Sequence, residues 1–526
     1  MTGKRRGWVV VFASSANLEM RNDDFANDAR VASGWTALRS VVLVALFSTG
    51  AILESGQLSS MADPGIWGHL RVGSWMLENR IWPATGVFSQ AGNVRWMDFT
   101  WGYDLVAAVV YRAAGLRAIP ALLMVSRLAL AVISFLLGGA WEGNFRVAVC
   151  VSAATQYALW NMGPGAGLVS PILFGVELLV LMESRRSGNA KMLLALPILF
   201  FVWVNLDIEF VYGITVLGLF LLVLGLEQVG GKAGWSRLDA GVVTIRTGAA
   251  LRAGGLSFLA TLVTPYPVHA YREFFAEQTS QLNRHLPGYT AMSFHRPQDY
   301  VLMLVLMAAV FSMGRRRSRD LFLLGLLAGC AAVSFHAQRV SWLAAIAAVS
   351  AIGESGPEPH EKASPRTSGT AWRTWMVIPA AALALVLAVL MLQARVPAGR
   401  EALLAKAAAH FPVHACDYVR EHRLPGPLFN AYLWGGFLTW YLPEYPVAID
   451  FRRGLYPEEE EIAYFKVMNA ELPYESLPSL EGAGTLLLEK GTVMAEALAS
   501  MPGFQMAYQD DLAVVLLRES VETGVR

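Results

Sequence analysis

Residues Ser60 to Gly102 read SMADPGIWGHLRVGSWMLENRIWPATGVFSQAGNVRWMDFTWG. The stretch follows the first strongly apolar run, about Leu38 to Gln57, which at 1.5 Å per residue is long enough to cross roughly 30 Å of hydrocarbon. It therefore gathers Asp63, His69, Arg71, Asp98 and several tryptophans just outside a membrane span, where polar chemistry at a membrane surface is expected. Two surface helices are expected in and after it, Gly68 to Asn79 and Trp101 to Ala114, joined by a turn-rich connection punctuated by Pro83, Gly86 and Gly92. The second is too short to span and contains Asp104 and Arg112. Its Leu105, Val109 and Tyr111 fall broadly on one side, as in an interfacial helix.

Composition sets the class around this loop. With 55% hydrophobic residues, 16% charged and a mean hydropathy of +0.43, the chain reads as a polytopic α-helical membrane protein. A formal net charge of +1 gives no basic surface for nucleic acid, and no nucleic-acid partner is expected. Two of the three cysteines, Cys150 and Cys330, lie inside apolar runs and Cys416 in the polar tail, so neither a disulfide framework nor a zinc spacing arises.

Arginine placement orients the runs. Residues 1–37 form a basic arm without a secretory cleavage pattern, expected to stay in the cytoplasm. Further basic loops occur at Glu142 to Arg146, Ser184 to Lys191, Gln228 to Arg252 and Arg315 to Arg319. The apolar runs between them are about Ile119 to Ala140, Val147 to Met162, Leu168 to Met182, Met192 to Asn205, Phe210 to Leu226, Ala253 to Thr264, Tyr300 to Met313, Leu321 to Phe335 and Val340 to Ile352. The resulting organisation is a transmembrane body over 38–352 with an external first loop at 58–117, a flexible cytoplasmic linker at 353–373, and a last span at 374–394. With about eleven spans the N-terminus lies inside and the C-terminus outside a cytoplasmic membrane. Residues 395–526 are expected to form a small extracytoplasmic α/β domain. Its strands are read at Pro446 to Asp450, Thr485 to Leu488 and Leu512 to Leu517, and a helix at Ala495 to Met501. That tail carries no nucleophile elbow, Gly-rich phosphate loop or His/Cys metal cluster.

Ionisable groups at the edge of a membrane are expensive to hold and are candidate functional groups by default. In WVNLDIEF, Asp207 and Glu209 sit between two spans on the side of the first loop, where carboxylates bind a divalent ion or deprotonate an acceptor hydroxyl. Arg71 and Arg339, with His336, are placed to hold a phosphate by charge-assisted hydrogen bonds. Structural readings stand beside these. Asp63 before Pro64 is a natural helix N-cap. Trp67, Trp101 and their neighbours suit interface anchoring, and Asp450 with Arg452 reads as a structural ion pair. The tail's Trp434, Phe437, Trp440 and Tyr441 serve either as core or as a surface for a protein partner.

Together these features resemble the GT-C superfamily of membrane glycosyltransferases: an Asp after the first span, a long external first loop with two surface helices, many spans and a soluble C-terminal domain. The segment from Asp63 to Trp101 is similar to a bacterial multi-pass group with an Asp-Pro-Asp-x-Trp-x-His-Leu-x-x-Gly-like opening. FNAYLWGGFLTWYLPEYPVAIDFRRGLY, beginning at Phe429, matches that group's Trp-Gly-Gly and Asp-Gly-Arg-like segment. The resemblance implies sugar transfer from a polyprenyl-phosphate-linked donor, with membrane lipids as surroundings, and Asp63 as the catalytic acid. The mechanism it implies is inverting displacement: Asp63 acts as base or metal ligand, Asp207 or Glu209 as second carboxylate, and Arg71, Arg339 and His336 bind the donor phosphate. A divalent cation, Mg or Mn, would sit on Asp63 and Asp207, and His69, Asp98, Trp67 and Trp101 complete the loop's candidate set. The chain departs from the group's pattern at Gly65, at Thr85 or Gly86, and at Asp207, where acids or a histidine are usual. Those departures favour the alternative of a non-catalytic scaffold that keeps the fold and binds a partner through its loop and tail.

Overall fold

The computed structural model describes residues 15–139, 145–232, 245–286, 288–355 and 369–519. Helix α1 (Ser15–Gln57) starts well before the apolar run and carries it to the first loop. There α2 (Pro64–Asn79) and α3 (Trp101–Ala114) form as the two expected surface helices. They pack against each other, and a 3-10 turn joins α3 to α4 (Ala118–Leu137). The body continues with α5 (Phe145–Ala158), α6 (Val169–Ser187), α7 (Leu196–Val204), α8 (Phe210–Lys232), α9 (Thr247–Ala260), α10 (Pro267–Thr279), α11 (Pro297–Arg315), α12 (Leu321–His336), α13 (Ser341–Glu354) and α14 (Gly369–Ala394).

Each apolar run of the sequence is thus a helix. Among the described residues, six stretches are long and apolar enough to cross a membrane: Trp35–Gln57, Trp101–Leu137 (α3 and α4 together), Ala166–Ser187, Phe210–Gly230, Pro297–Arg315 and Met376–Ala394. The chain is a multi-pass membrane protein. The shorter α13 is buried from Trp342 to Gly353, because it runs through the middle of the bundle against α4, α5, α6, α11 and α12. Many residues facing outward from the bundle are large and apolar, such as Ile198, Phe311 and Ile378, as lipid requires. Most of the linker at 353–373, the first residues of the N-terminal arm, and parts of the loops at 142–146 and 228–252 lie outside the described residues.

Charged loops meet at the end of the bundle away from the first loop. Arg185 pairs with Asp320 at 2.8 Å and with Glu227 at 3.4 Å, and Arg186 with Glu354 at 2.7 Å, so the ends of α6, α8, α12 and α13 are tied together there.

The tail follows as α15 (Arg400–Ala407), α16 (Val413–Glu421), β1 (Leu428–Asn430), α17 (Gly435–Tyr441), α18 (Glu458–Met468), α19 (Pro478–Glu481), β2 (Thr485–Glu489), α20 (Val493–Ala499), β3 (Phe504–Gln509) and β4 (Ala513–Arg518). The sheet order is β1-β2-β4-β3, with β1 parallel to β2 and the other pairs antiparallel, giving the small α/β domain. The apolar run at Pro446 to Asp450, expected as a strand, is not one. Pro446 lacks a ladder donor, and the Asn430 side chain occupies that side of β1, accepting from Ala448 N at 2.8 Å and donating to Ile449 O at 2.9 Å. Val447 instead bridges to the first loop, its N–H donating to Phe88 O while Gln90 N–H donates to Val447 O.

The tail docks on α2. Trp67, fully buried, packs edge-on against Phe411 and Phe437 and beside Trp440. Gly436 allows the approach, since a Cβ there would stand 2.9 Å from Pro64 O. The aromatic cluster of the Trp-Gly-Gly segment is therefore spent on the chain's own first loop.

Candidate active site

Asp63 starts α2. Its Oδ1 accepts from the N–H groups of Gly65 and Ile66, both at 2.9 Å, with Pro64 at the first helical position. Its Oδ2 points at the backbone of Gly163, where any Cβ would collide with it. His69, on the same helix, places Nδ1 2.6 Å from Asp104 Oδ1 of α3. Its ring stands edge-on to Tyr103, whose hydroxyl donates to Pro164 O. Asp98 Oδ1 accepts from the N–H and hydroxyl of Thr100, while its Oδ2 is buried without a partner. Burial pushes the Asp63 carboxyl up, and burial beside Asp104 pushes that of Asp98 well up. Burial lowers His69, against the pull of Asp98, Asp63 and Asp207.

A second cluster faces these acids. The segment 288–292 lies along 335–339, with Arg339 N–H donating to Gly288 O at 2.7 Å and Gln338 N–H to Thr290 O at 3.0 Å. That pairing fixes Arg339, whose Nη2 lies 3.3 Å from Glu209 and 3.2 Å from Glu277. Arg453 of the tail reaches Glu277 at 3.5 Å, and both guanidiniums lie over the Tyr289 ring, at 4.4 and 4.6 Å from its centre. Tyr289 donates its hydroxyl to Glu277 at 2.7 Å. Burial works against the Glu277 charge, but Arg339 and Arg453 outweigh it and hold the carboxyl below its ordinary value. Burial, then the neighbouring Asp207, pushes Glu209 up to about 8. Arg296 pairs with Asp299 at 3.0 Å, and its Nε is buried with no hydrogen-bond partner.

The raised carboxyl makes stability depend on pH with a definite sign. The folded chain binds Glu209's proton up to about pH 8, whereas an unfolded carboxyl of ordinary value 4.5 has lost it. This contribution is full below the unfolded value and disappears as pH rises through about 8. The unfolding midpoint in detergent should therefore fall between pH 6 and pH 9 by roughly several degrees, and Glu209→Gln should flatten that slope.

Between the two clusters lies a cavity of about 640 Å³. Asp63 and His69 line one side, Glu209, Tyr289, Arg296 and Arg339 the other, and residues 158–168 the rest. Of the residues singled out in the sequence, Asp63, His69, Glu209 and Arg339 meet here. Asp207 is set behind them, its Oδ2 accepting from Ser170 at 2.6 Å. Arg71 does not line the cavity: two residues from His69 on a helix is a turn of about 200°, and its guanidinium lies over Phe88 instead. His336, at the end of α12, is exposed away from the cavity lining. Trp67 is tail-docking core, and Trp101 donates to Asn205 Oδ1 at 3.2 Å. Asp98 organises the start of α3.

The residues do not fit a divalent cation on Asp63 and Asp207. Asp63 spends one oxygen on the helix cap, Asp207 spends one on Ser170 and does not line the cavity. Among the described residues no three His, Cys, Asp or Glu side chains are grouped to hold a metal. Sequence reading passed over Tyr289, Glu277 and Arg453 as site members, whereas Arg296 stood among its outside-facing ionisable candidates. It also passed over the Gly163-Pro-Gly-Ala-Gly167 segment, whose alternating glycines between two apolar runs were the available signal.

The fold has solved counterparts. ArnT from Cupriavidus metallidurans, bound to undecaprenyl phosphate, superposes with a TM-score of 0.51 at 13% identity, covering 93% of this chain and 99% of its own. The chain shares its fold with that protein. The archaeal oligosaccharyltransferase AglB from Archaeoglobus fulgidus, with an inhibitory peptide and dolichol-phosphate, gives 0.50 at 11% identity, over 86% of this chain and 69% of its own. No protein-family model and no curated protein sequence matches the chain. The shared fold thus holds at 13% and 11% identity.

Proposed function

We propose that this protein transfers a sugar from a polyprenyl-phosphate-linked donor to an acceptor at the external face of the cytoplasmic membrane. The observation that carries the reading is one cavity with two chemically opposite walls. On one wall, Arg296 Nε is a buried donor without a hydrogen-bond partner, as an absent anion would leave it, and Arg339 stands beside it in ion pairs with Glu209 and Glu277. The guanidiniums of Arg339 and Arg453 share the Glu277 carboxylate, and burial pushes the neighbouring Glu209 up, which weakens its competition with a phosphate for Arg339. On the other wall, Asp63 and His69 offer a negative charge and a proton acceptor to the reacting sugar carbon and the incoming group. The lipid carriers bound by ArnT and AglB, undecaprenyl phosphate and dolichol-phosphate, support a lipid-linked donor here. The basic loops at the opposite end of the bundle support an external cavity.

The acceptor's oxygen or nitrogen attacks the anomeric carbon, and the bond to the phosphate oxygen breaks with inversion. Arg296 and Arg339 stabilise the charge that collects on the leaving phosphate. Asp63, fixed by its helix cap, stabilises the positive charge on the sugar ring.

Undecaprenyl phosphate should bind the protein in nanodiscs, undecaprenol should not, and Arg296→Ala should weaken phosphate binding about tenfold, the scale of one charge-assisted hydrogen bond. Native mass spectrometry of the loaded discs reads this out. Equal retention of the alcohol and the phosphate would remove the basis of the reading.

A further inference from the structure

We propose that His69, held by Asp104, takes the proton from the acceptor, and that Asp63 does not. The inference rests on the glycosyl-transfer reading above and decides which of two groups on the same wall is its base. Asp63 Oδ1 is committed to two backbone N–H groups, and its Oδ2 is close against the Gly163 backbone, which leaves little room for an acceptor's O–H or N–H to approach it. His69 is built the other way. Nδ1 is tied at 2.6 Å to Asp104 of α3, and with the carboxylate as acceptor the ring proton sits on Nδ1. Nε2 then carries the lone pair. It makes no hydrogen bond among the described residues and lies on the side of Gly165, a cavity-lining residue whose missing Cβ would stand 3.7 Å away.

The acids around the ring, working against its burial, favour the product of the transfer. The imidazolium would face Asp104 in contact, and Asp98, Asp63 and Asp207 through space, with Tyr103 at the ring edge. Gly165 places no side chain between Nε2 and the cavity. In the balanced step the acceptor's O–H or N–H bond breaks and its proton moves to Nε2. The acceptor atom bonds to the anomeric carbon, and the electron pair of the old bond leaves on the phosphate oxygen. Asp104 is a positioning residue, acting through the ring.

The test uses full-length protein in proteoliposomes with a panel of undecaprenyl-phosphate-linked monosaccharides. Released undecaprenyl phosphate counts transfer to any acceptor, water included. His69→Gln should lower turnover about a hundredfold or more with undecaprenyl phosphate binding unchanged, and should abolish the fall in turnover at low pH that the wild type shows. Added imidazole should restore part of the activity of His69→Ala, and Asp104→Asn should lower kcat and move the pH limb while leaving KM unaltered. Wild-type turnover and an intact pH limb in His69→Gln would overturn the assignment while leaving glycosyl transfer standing. Absence of release by the wild type from every donor would overturn the transfer reading and this inference together, whereas loss of phosphate binding in His69→Gln would make the residue structural and overturn the assignment alone.

Discussion

Asp63→Asn is expected to lower turnover of the lipid-linked donor by about two to three orders of magnitude, the scale of one preorganised electrostatic group, while leaving the fold intact. The substitution separates two roles that share one carboxylate. The cap needs only an oxygen acceptor opposite Gly65 N and Ile66 N, and an asparagine side chain supplies it. The negative charge beside the anomeric carbon is lost. Asp63→Ala removes both and should in addition cost about 1 kcal/mol of stability, the usual loss for an N-cap. The measurement pairs undecaprenyl phosphate release with the unfolding midpoint of each variant. Wild-type turnover in Asp63→Asn would reduce the residue to a cap and remove its place in the mechanism.

The same carboxylate shows how far the sequence could be read. Asp63-Pro64 is local information: cap, proline and helix follow one another in the chain, and the helix and its N-cap were readable although α2 starts at Pro64, before the expected Gly68. The apolar runs were readable for the same reason, since each needs only its own length and hydropathy to be a helix in lipid. His69 and Arg71 mark the limit. They are equally polar and two residues apart, but only the helix's contact with α3 decides that His69 turns to the cavity while Arg71 lies over Phe88. Arg453 was further out of reach. It belongs to a segment whose neighbour Arg452 forms the expected ion pair with Asp450 at 2.7 Å, and it reaches Glu277 because the tail docks on α2 through Trp67 and Gly436. No local pattern encodes a contact of that kind. Pro446 to Asp450 fails in the opposite direction, since its apolar run suits a strand and only the side chain of Asn430 prevents the ladder.

Arg339 is where the long-range contacts concentrate, and its replacement has the second large expected effect. Arg339→Met should destabilise the protein by about 3 kcal/mol, the lower end for breaking a buried ion pair, and abolish undecaprenyl phosphate binding. The stability loss comes mainly from Glu277, which would keep only Arg453 at 3.5 Å and Tyr289, because Glu209 can remain protonated below about pH 8. Arg339→Lys separates the two effects. A lysine ammonium restores a charge for Glu277 but cannot span Glu209, Glu277 and a phosphate at once, as a planar guanidinium with several donors does. Lysine should therefore recover much of the unfolding midpoint and little of the binding. Should Arg339→Met hold undecaprenyl phosphate as tightly as the wild type, the buried guanidinium would be a structural counter-ion for Glu277, and the phosphate would have to be sought at Arg296 alone.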